Sequence, residues 1–300
     1  MIRTTLLACA LSASPLFAQD DLLGLLGEEE TGPVYTNASF KTTRVINGHS
    51  LENTAHGVLD FKISHRFGLL NQGIKNFYGL DEAEMRIGLD YGLTDRLMIG
   101  IGRSGYQKTV DGFAKYKILK QCDSGCEMPI TLAVVAGTSI ATLQQQDLPW
   151  YRPDITDYFT HRISHSMQVI IGRKFNESIT LQLNPGVVHR NLVAGTDDPN
   201  DVIHISGAGR IKLTKRVAIN AEYFYVLPGQ LDDVYKNSLS MGFDIETGGH
   251  VFQLHFTNST GMFERAFITE TQGTWGDGAI RYGFNISRVF TLHNPKKKPD

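Results

Sequence analysis

Two residues with catalytic potential, His204 and Ser206, stand two apart in His204-Ile205-Ser206. In an extended strand that spacing puts both on one face, where an imidazole can act as base to a hydroxyl nucleophile. Ile203, Ile205 and Ile211 claim the opposite, apolar face, so the pair points to the polar side. The sequence identifies no third group to orient the histidine. One His-x-Ser among ten histidines is weak ground for hydrolysis. The pair is read as ordinary wall residues, and no catalytic residue is assigned.

The same spacing, His-x-Ser on a strand, resembles outer-membrane phospholipases and lipid A deacylases. In those enzymes the pair faces lipid, where the substrate lies; here it faces the other way. The remaining histidines of interest, His161, His165, His189 and His255, lack the close spacing with cysteine or carboxylate that a strand-built metal site favours. They are assigned to a polar rim and aromatic girdle. Cys122 and Cys126 sit in Gln121-Cys122-Asp123-Ser124-Gly125-Cys126. Haem attachment wants Cys-x-x-Cys-His, which is absent, and no second cysteine pair completes a zinc site. A disulfide stapling a turn is the expectation, and no metal or other cofactor is expected.

Charge is the larger signal. The acids Asp60, Glu84, Asp90, Glu222, Asp244 and Glu246 occupy the polar face of segments whose alternate residues are apolar. So do the bases Lys62, Arg66, Arg86, Lys115, Lys117, Lys174, Arg190, Arg210, Lys212 and Arg281, together with His204. Such groups either fill a narrow barrel as salt bridges or line a path for a polar solute.

The elements that position them are long alternating strands. Val202–Val226 carries two: Ile203, Ile205, Gly207, Gly209, Ile211 and Leu213, then Val217, Ile219, Ala221, Tyr223 and Tyr225, alternate with polar or small residues. Runs of about ten to twelve residues exceed the usual ~5–6 of a globular strand and match the ~9–11 tilted residues that cross a bilayer. Further runs are expected at His56–Phe67, Glu84–Gly92, Leu97–Gly105, Asp111–Leu119, Ile130–Thr138, Ile163–Phe175, Ser178–Arg190, Asn237–Thr247, His250–Thr257 and Ala279–Phe290. Their links sort into two classes. Short turns lie at Leu93–Arg96, Lys120–Pro129, Asn176–Glu177, Thr214–Lys215 and Gly248–Gly249. Longer loops lie at Gly68–Glu82, Ser139–Thr160, Asn191–Asp201, Leu227–Lys236 and Asn258–Asp277, with the short Tyr106–Val110 as the exception. Periplasmic turns and longer extracellular loops are the pattern of outer-membrane barrels. A periplasmic β-sandwich also alternates, but its strands are shorter and its loops are not sorted by rim.

The expectation is therefore an all-β, antiparallel, up-and-down transmembrane β-barrel of about 12 strands over residues 40–290. Residues 40–55 are a plug or rim segment: the piece Phe40–Ile46 ends at the turn signal Asn47-Gly48. A lumen between the filled ~8-strand and the aqueous ~16–18-strand case is read as mostly filled, with a narrow path. Residues 1–18, with Arg3, an apolar run and Ser14-Pro15-Leu16-Phe17-Ala18, form a signal peptide. Leu6-Leu7-Ala8-Cys9 also offers a lipoprotein box, with a very short apolar run before it. Residues 19–39 form a flexible acidic periplasmic leader and 291–300 a polar tail after the terminal aromatic Phe290. Both termini face the periplasm.

Lysine plus arginine number 29 and aspartate plus glutamate 31, for a net charge of -2. No basic field for nucleic acid exists, and Lys296–Lys298 is only a tail. No stretch offers the ~18 apolar residues of a spanning helix. The partners implied are outer-membrane lipid and lipopolysaccharide, the barrel-assembly machinery and a small polar solute.

Thr42-Thr43-Arg44-Val45-Ile46-Asn47-Gly48-His49-Ser50-Leu51-Glu52, His56-Gly57-Val58-Leu59-Asp60-Phe61 and His65-Arg66-Phe67-Gly68 resemble a family of outer-membrane β-barrels of unknown function common in Bacteroidetes. Gly92-Leu93-Thr94-Asp95-Arg96-Leu97 agrees, though that turn is common to many barrels. The resemblance implies a fold and a location over nearly the whole mature chain, and supplies no activity, ligand or site residue. The leading functional expectation is a narrow channel or solute-binding barrel, not an enzyme. A structural anchor for a periplasmic or surface partner is second, and a lipid hydrolase using His204 and Ser206 third.

Overall fold

A computed structural model describes residues 32–293. The signal peptide, most of the acidic leader, and the tail beyond residue 293 lie outside the described residues. Twelve antiparallel strands close into one barrel. In chain order they are β1 (Val58–Leu69), β2 (Ala83–Gly92), β3 (Leu97–Ser104), β4 (Thr109–Leu119), β5 (Thr131–Ala141) and β6 (Ile163–Lys174). The second half comprises β7 (Ile179–Arg190), β8 (Asp201–Lys212), β9 (Val217–Val226), β10 (Ser238–Thr247), β11 (His250–Thr257) and β12 (Arg281–Thr291). Each pairs with its sequence neighbour, and β12 closes on β1 with Phe284 opposite His65 and Ile286 opposite Ile63. The expected architecture and strand number are those observed.

Burial alternates along most of the strands, and its sense is inverted relative to a water-soluble protein. Leu254 is 53% exposed on the outer face, whereas Lys115 is 0% exposed on the inner one. Leucine, isoleucine, methionine and aromatic side chains therefore form the outside belt, and charges form the inside. That belt is stable only against acyl chains. Inside, small residues make room for large neighbours. A Cβ on Gly102 would meet the Arg86 guanidinium at 2.2 Å. One on Gly92 would meet the Ala55 carbonyl at 2.1 Å.

Residues 93–96, 120–130, 175–178, 213–216 and 248–249 connect strands at one rim, and the longer loops connect them at the other. The chain enters at the short-turn rim. There Val34–Tyr35 pairs with Cys122–Ser124, the Thr36 hydroxyl donates to Asp123 at 2.6 Å, and Cys122 is bonded to Cys126.

Residues 40–55 then run inside the barrel rather than along its rim. Thr43–Ser50 is a hairpin, closed by Val45 N–H donating to the Gly48 carbonyl at 2.8 Å and Ser50 N–H to Thr43 at 3.0 Å. On one side its Phe40, Val45 and Leu51 pack with Met98, Phe113, Ala133, Val135 and Ile170 of β3–β6. Each such side chain, fully buried, contributes about 1.5–3 kcal/mol.

A departure concerns residues 258–277, expected to be an external loop. They fold inward and form a helix, α1 (Glu264–Thr269), in which every residue is buried. Its Phe267 and Ile268 pack with Val188, Val202, Phe224 and Val226 of β7–β9. The short link after β3 is explained by this insertion: the Gln107 amide donates to Glu270 at 2.8 Å and Arg265 donates to Gln107. The lumen is thus filled from both ends.

The inverted alternation makes a sharp demand on the outer face. Leu254→Arg is expected to destabilise the barrel by about 2–4 kcal/mol, read as a shift in the urea midpoint of folding into lipid vesicles. A shift below 0.5 kcal/mol would mean that this face does not meet lipid.

Candidate functional site

The densest polar cluster in the lumen is the polar side of the inner hairpin, where backbone groups of a tight turn must find partners inside a wall. Glu222 of β9 supplies three of them. Its carboxylate accepts the N–H groups of Ile46 at 3.3 Å, Asn47 at 2.7 Å and Gly48 at 3.0 Å. Asn47 then bridges the lumen: its carbonyl oxygen accepts from Arg66 at 2.6 Å, and its amide donates to Ser240 at 3.0 Å and Ser259 at 3.2 Å. The carbonyls of Val45 and Ile46 accept from Gln253 and Asn285. Lys115 donates to the carbonyls of Thr43, Ser50 and Glu52.

Ion pairs complete the wall. Lys62 lies 2.5 Å from Asp90 and 3.4 Å from Asp60, and both Lys62 and Asp90 bond to the Thr43 hydroxyl. Arg86 clamps Asp111 in a bidentate pair at 2.9 and 2.5 Å. Ser287 donates to Asp60 at 2.5 Å. Asp244 accepts from Gln253 at 2.7 Å, and Glu246 pairs with Lys41 of the entering chain at 2.6 Å. Arg210 is buried, whereas Glu84, Lys117, Arg190, Lys212 and Arg281 are half-buried. Lys174 reaches Glu177 at 3.1 Å.

The hairpin and α1 meet at a buried triad. Glu264 of α1 lies 2.6 Å from Arg44 and 3.2 Å from His49. Phe113 backs it: its ring meets the His49 ring edge-on at 4.4 Å and lies 5.2 Å from the Arg44 guanidinium carbon. Burial, and then the Arg44 charge, push the His49 imidazole down to about 3 despite Glu264. Burial alone would raise the Glu264 carboxyl, but Arg44 and His49 hold it well below the usual carboxylate range.

Other sequence assignments fare differently. His204 and Ser206 are both buried on the inner face. The Ser206 hydroxyl donates to the Asn184 carbonyl at 3.3 Å, and neither His204 ring nitrogen has a hydrogen-bond partner among the described residues. No nucleophile–base contact forms. His255, assigned above to the rim or girdle, instead lies buried in the wall of β11, because its position shares parity with Gln253. His165 and His189 are outer-face residues near the long-loop rim. His165 bonds to Thr138 at 2.9 Å and His189 to Asp201 at 2.7 Å. No group of three potential metal ligands occurs among the described residues. Sequence reading missed Asp111, which strand parity with Lys115 would have revealed. It also missed the roles of Asn47 and Glu264, which depend on chain segments far apart in sequence.

Glu222→Ala strands three amides at once. It is expected to cost on the order of 3 kcal/mol, measured by urea unfolding, with amide exchange at Ile46–Gly48 rising toward that of a free loop. Unchanged exchange there would remove Glu222 from this role. Acidification tests the triad. The seated His49 excludes a proton that the unseated one accepts, so between pH 6.5 and about 3 seating weakens as pH falls, by about 1.4 kcal/mol per unit. Trp150 packs on Arg265 of α1 at 4.0 Å, so its emission in a Trp275→Phe background reports the helix. The expected outcome is a shift of that emission on acidification which His49→Gln suppresses.

Comparison with solved structures gives barrels of very different sequence. The NanC porin is 9% identical over 78% of this chain and 98% of that one, with a TM-score of 0.47. An outer membrane channel from Pseudomonas putida F1 is 12% identical, over 80% and 97%, at 0.45. The translocator domain of the autotransporter NalP from Neisseria meningitidis is 11% identical, over 80% and 90%, at 0.39. No curated protein matches in sequence. Residues 40–290 match the family described as "Membrane bound beta barrel domain (DUF5777)", a span that runs from just before the inner hairpin into the last strand. The chain belongs to this family of membrane-bound β-barrels.

Proposed function

We propose that the protein is an outer-membrane barrel, not an enzyme, that admits small polar solutes along one side of its fixed hairpin. The inward-folded loop 258–280 is the gate. In this reading the short-turn rim and both termini are periplasmic, the usual placement of short turns. Outer-membrane lipid and lipopolysaccharide surround the belt, and the barrel-assembly machinery engages β12.

One observation carries the reading. A cleft of about 440 Å³ at the short-turn rim, lined by Lys41, Glu52, Asp60 and Glu246, leads toward an internal cavity of about 30 Å³. The two share Thr42, Val251 and Ser287, so they adjoin beside the hairpin. Met262, just before α1, also lines the inner cavity. The opposite side of the hairpin is apolar.

A second reading, the structural anchor, is favoured by the filled lumen and by the clamped segment Val34–Tyr35 at the rim. Planar-bilayer conductance separates the two. The full chain is expected to give rare, small openings, and replacing residues 262–269 by a Gly/Ser segment of equal length to raise open probability at least tenfold. Silence from both proteins would favour the anchor.

A further inference from the structure

Four polar side chains stand in one row on the outer face, near the long-loop rim. Thr138 of β5 lies opposite His165 of β6, His165 opposite His189 of β7, and His189 opposite Asp201 of β8. The row is open to its surroundings: the His189 and Asp201 side chains are 43% and 65% exposed. The next row toward the middle of the belt is wholly apolar and in the same register, Ala136, Met167, Val187 and Ile203. All four of these line an outer groove of about 640 Å³. Ala114, Ala136 and Pro185 are its short residues, with the longer Tyr116, Met167 and Ile205 beside them. Pro185 weakens the wall to be there. It has no N–H to give Val169, and the β6–β7 ladder lapses between Gln168–Gly186 and Ile171–Leu183.

We propose that row and groove together bind one phospholipid whose headgroup carries a primary ammonium. The acyl chain lies in the groove, the phosphate at His165, and the ammonium at His189 and Asp201. An apolar groove within the belt takes an acyl chain from any lipid, so the row supplies the selectivity.

The row offers a donor at one end and acceptors at the other. A carboxylate only accepts, so the bond of 2.7 Å between His189 and Asp201 puts the proton on His189 Nδ1. The neutral ring then presents a lone pair at Nε2, beside the Asp201 charge. That end suits an ammonium, which has N–H groups to give and a charge to match. At His165 the Thr138 hydroxyl lies 2.9 Å from Nδ1. With Thr138 donating, His165 presents Nε2–H, which suits a phosphate oxygen. The two rings are 6.5 Å apart, a gap that a phosphate and an ammonium joined by two carbons can bridge. A headgroup carrying only anionic groups would meet the Asp201 carboxylate unpaired. The site rests on the outer face meeting lipid and stands whether or not the barrel conducts.

The test titrates the full chain in detergent with phosphatidylethanolamine, with phosphatidylglycerol of the same acyl chains, and with lipid A, and counts bound lipid by native mass spectrometry. One phosphatidylethanolamine is expected to bind, about tenfold more tightly than phosphatidylglycerol, as loss of a charge-assisted hydrogen bond implies. Asp201→Asn, at an exposed side chain, is expected to erase that preference. Ala136→Trp, which fills the groove and leaves the row intact, is expected to weaken both phospholipids about tenfold. Equal binding of the two phospholipids overturns the proposal, as does tighter binding of lipid A. So does a preference that survives Asp201→Asn, or unchanged phosphatidylethanolamine binding in a folded Ala136→Trp. Any of these, with the cost of Leu254→Arg intact, removes the site and leaves the lipid-facing belt standing.

Discussion

A closed wall with charges on its inner face must satisfy those charges where bulk water is scarce, and most of the molecule follows from that constraint. Twelve strands enclose too much space for wall side chains to meet across it, as they do in an eight-strand barrel. The chain answers by supplying its own polar filler. The hairpin Thr43–Ser50 presents backbone carbonyls to Lys115 and backbone amides to Glu222. The inner face is therefore a receptor for a piece of its own chain rather than a bare pore lining. The span matched by the family, which starts at Phe40, takes in that hairpin together with the strands.

The wall was readable in the sequence because a strand has a period of two and lipid enforces it on every outward residue. Inner charges such as Asp90, Arg86 and Glu222 follow from parity alone, and so does Asp111, which was overlooked. The filling elements obey no such rule. Asn47-Gly48 announced a turn, but nothing local says that Glu222, 175 residues away from Asn47, would hold it. The helix α1 left a trace: Met262, Phe263, Ala266 and Phe267 recur at helical spacing in a segment otherwise read as a water-exposed loop. Large apolar residues at that spacing need a buried surface. For a loop beyond the membrane belt, the available surface is the mouth of its own barrel.

His204 and Ser206 illustrate the limit of motif reading from the other direction. Their spacing fits a nucleophile and base, yet the neighbouring isoleucines orient the strand so that both lie buried on the inner face instead of facing lipid. Orientation, set by the apolar residues between them, outweighs the pair's chemical identity.

The two sides of the hairpin have different physical character, and this decides which part of the filling can move. Releasing Phe40, Val45 and Leu51 from β3–β6 would expose apolar surface to water with nothing to replace the lost contacts. Releasing the polar side exchanges hydrogen bonds to the wall for hydrogen bonds to water, at a small net difference. The hairpin is thus hinged to one wall and separable from the other. Its apolar seam keeps it in the lumen. The helix α1 meets the hairpin through one charged residue, Glu264, bound to Arg44 and His49. A junction made of charges is strong while all three are correctly protonated, and weak once one is not. The seam therefore makes the hairpin a permanent part of the barrel, while α1 is held to the hairpin by the charged junction and to β7–β9 by Phe267 and Ile268.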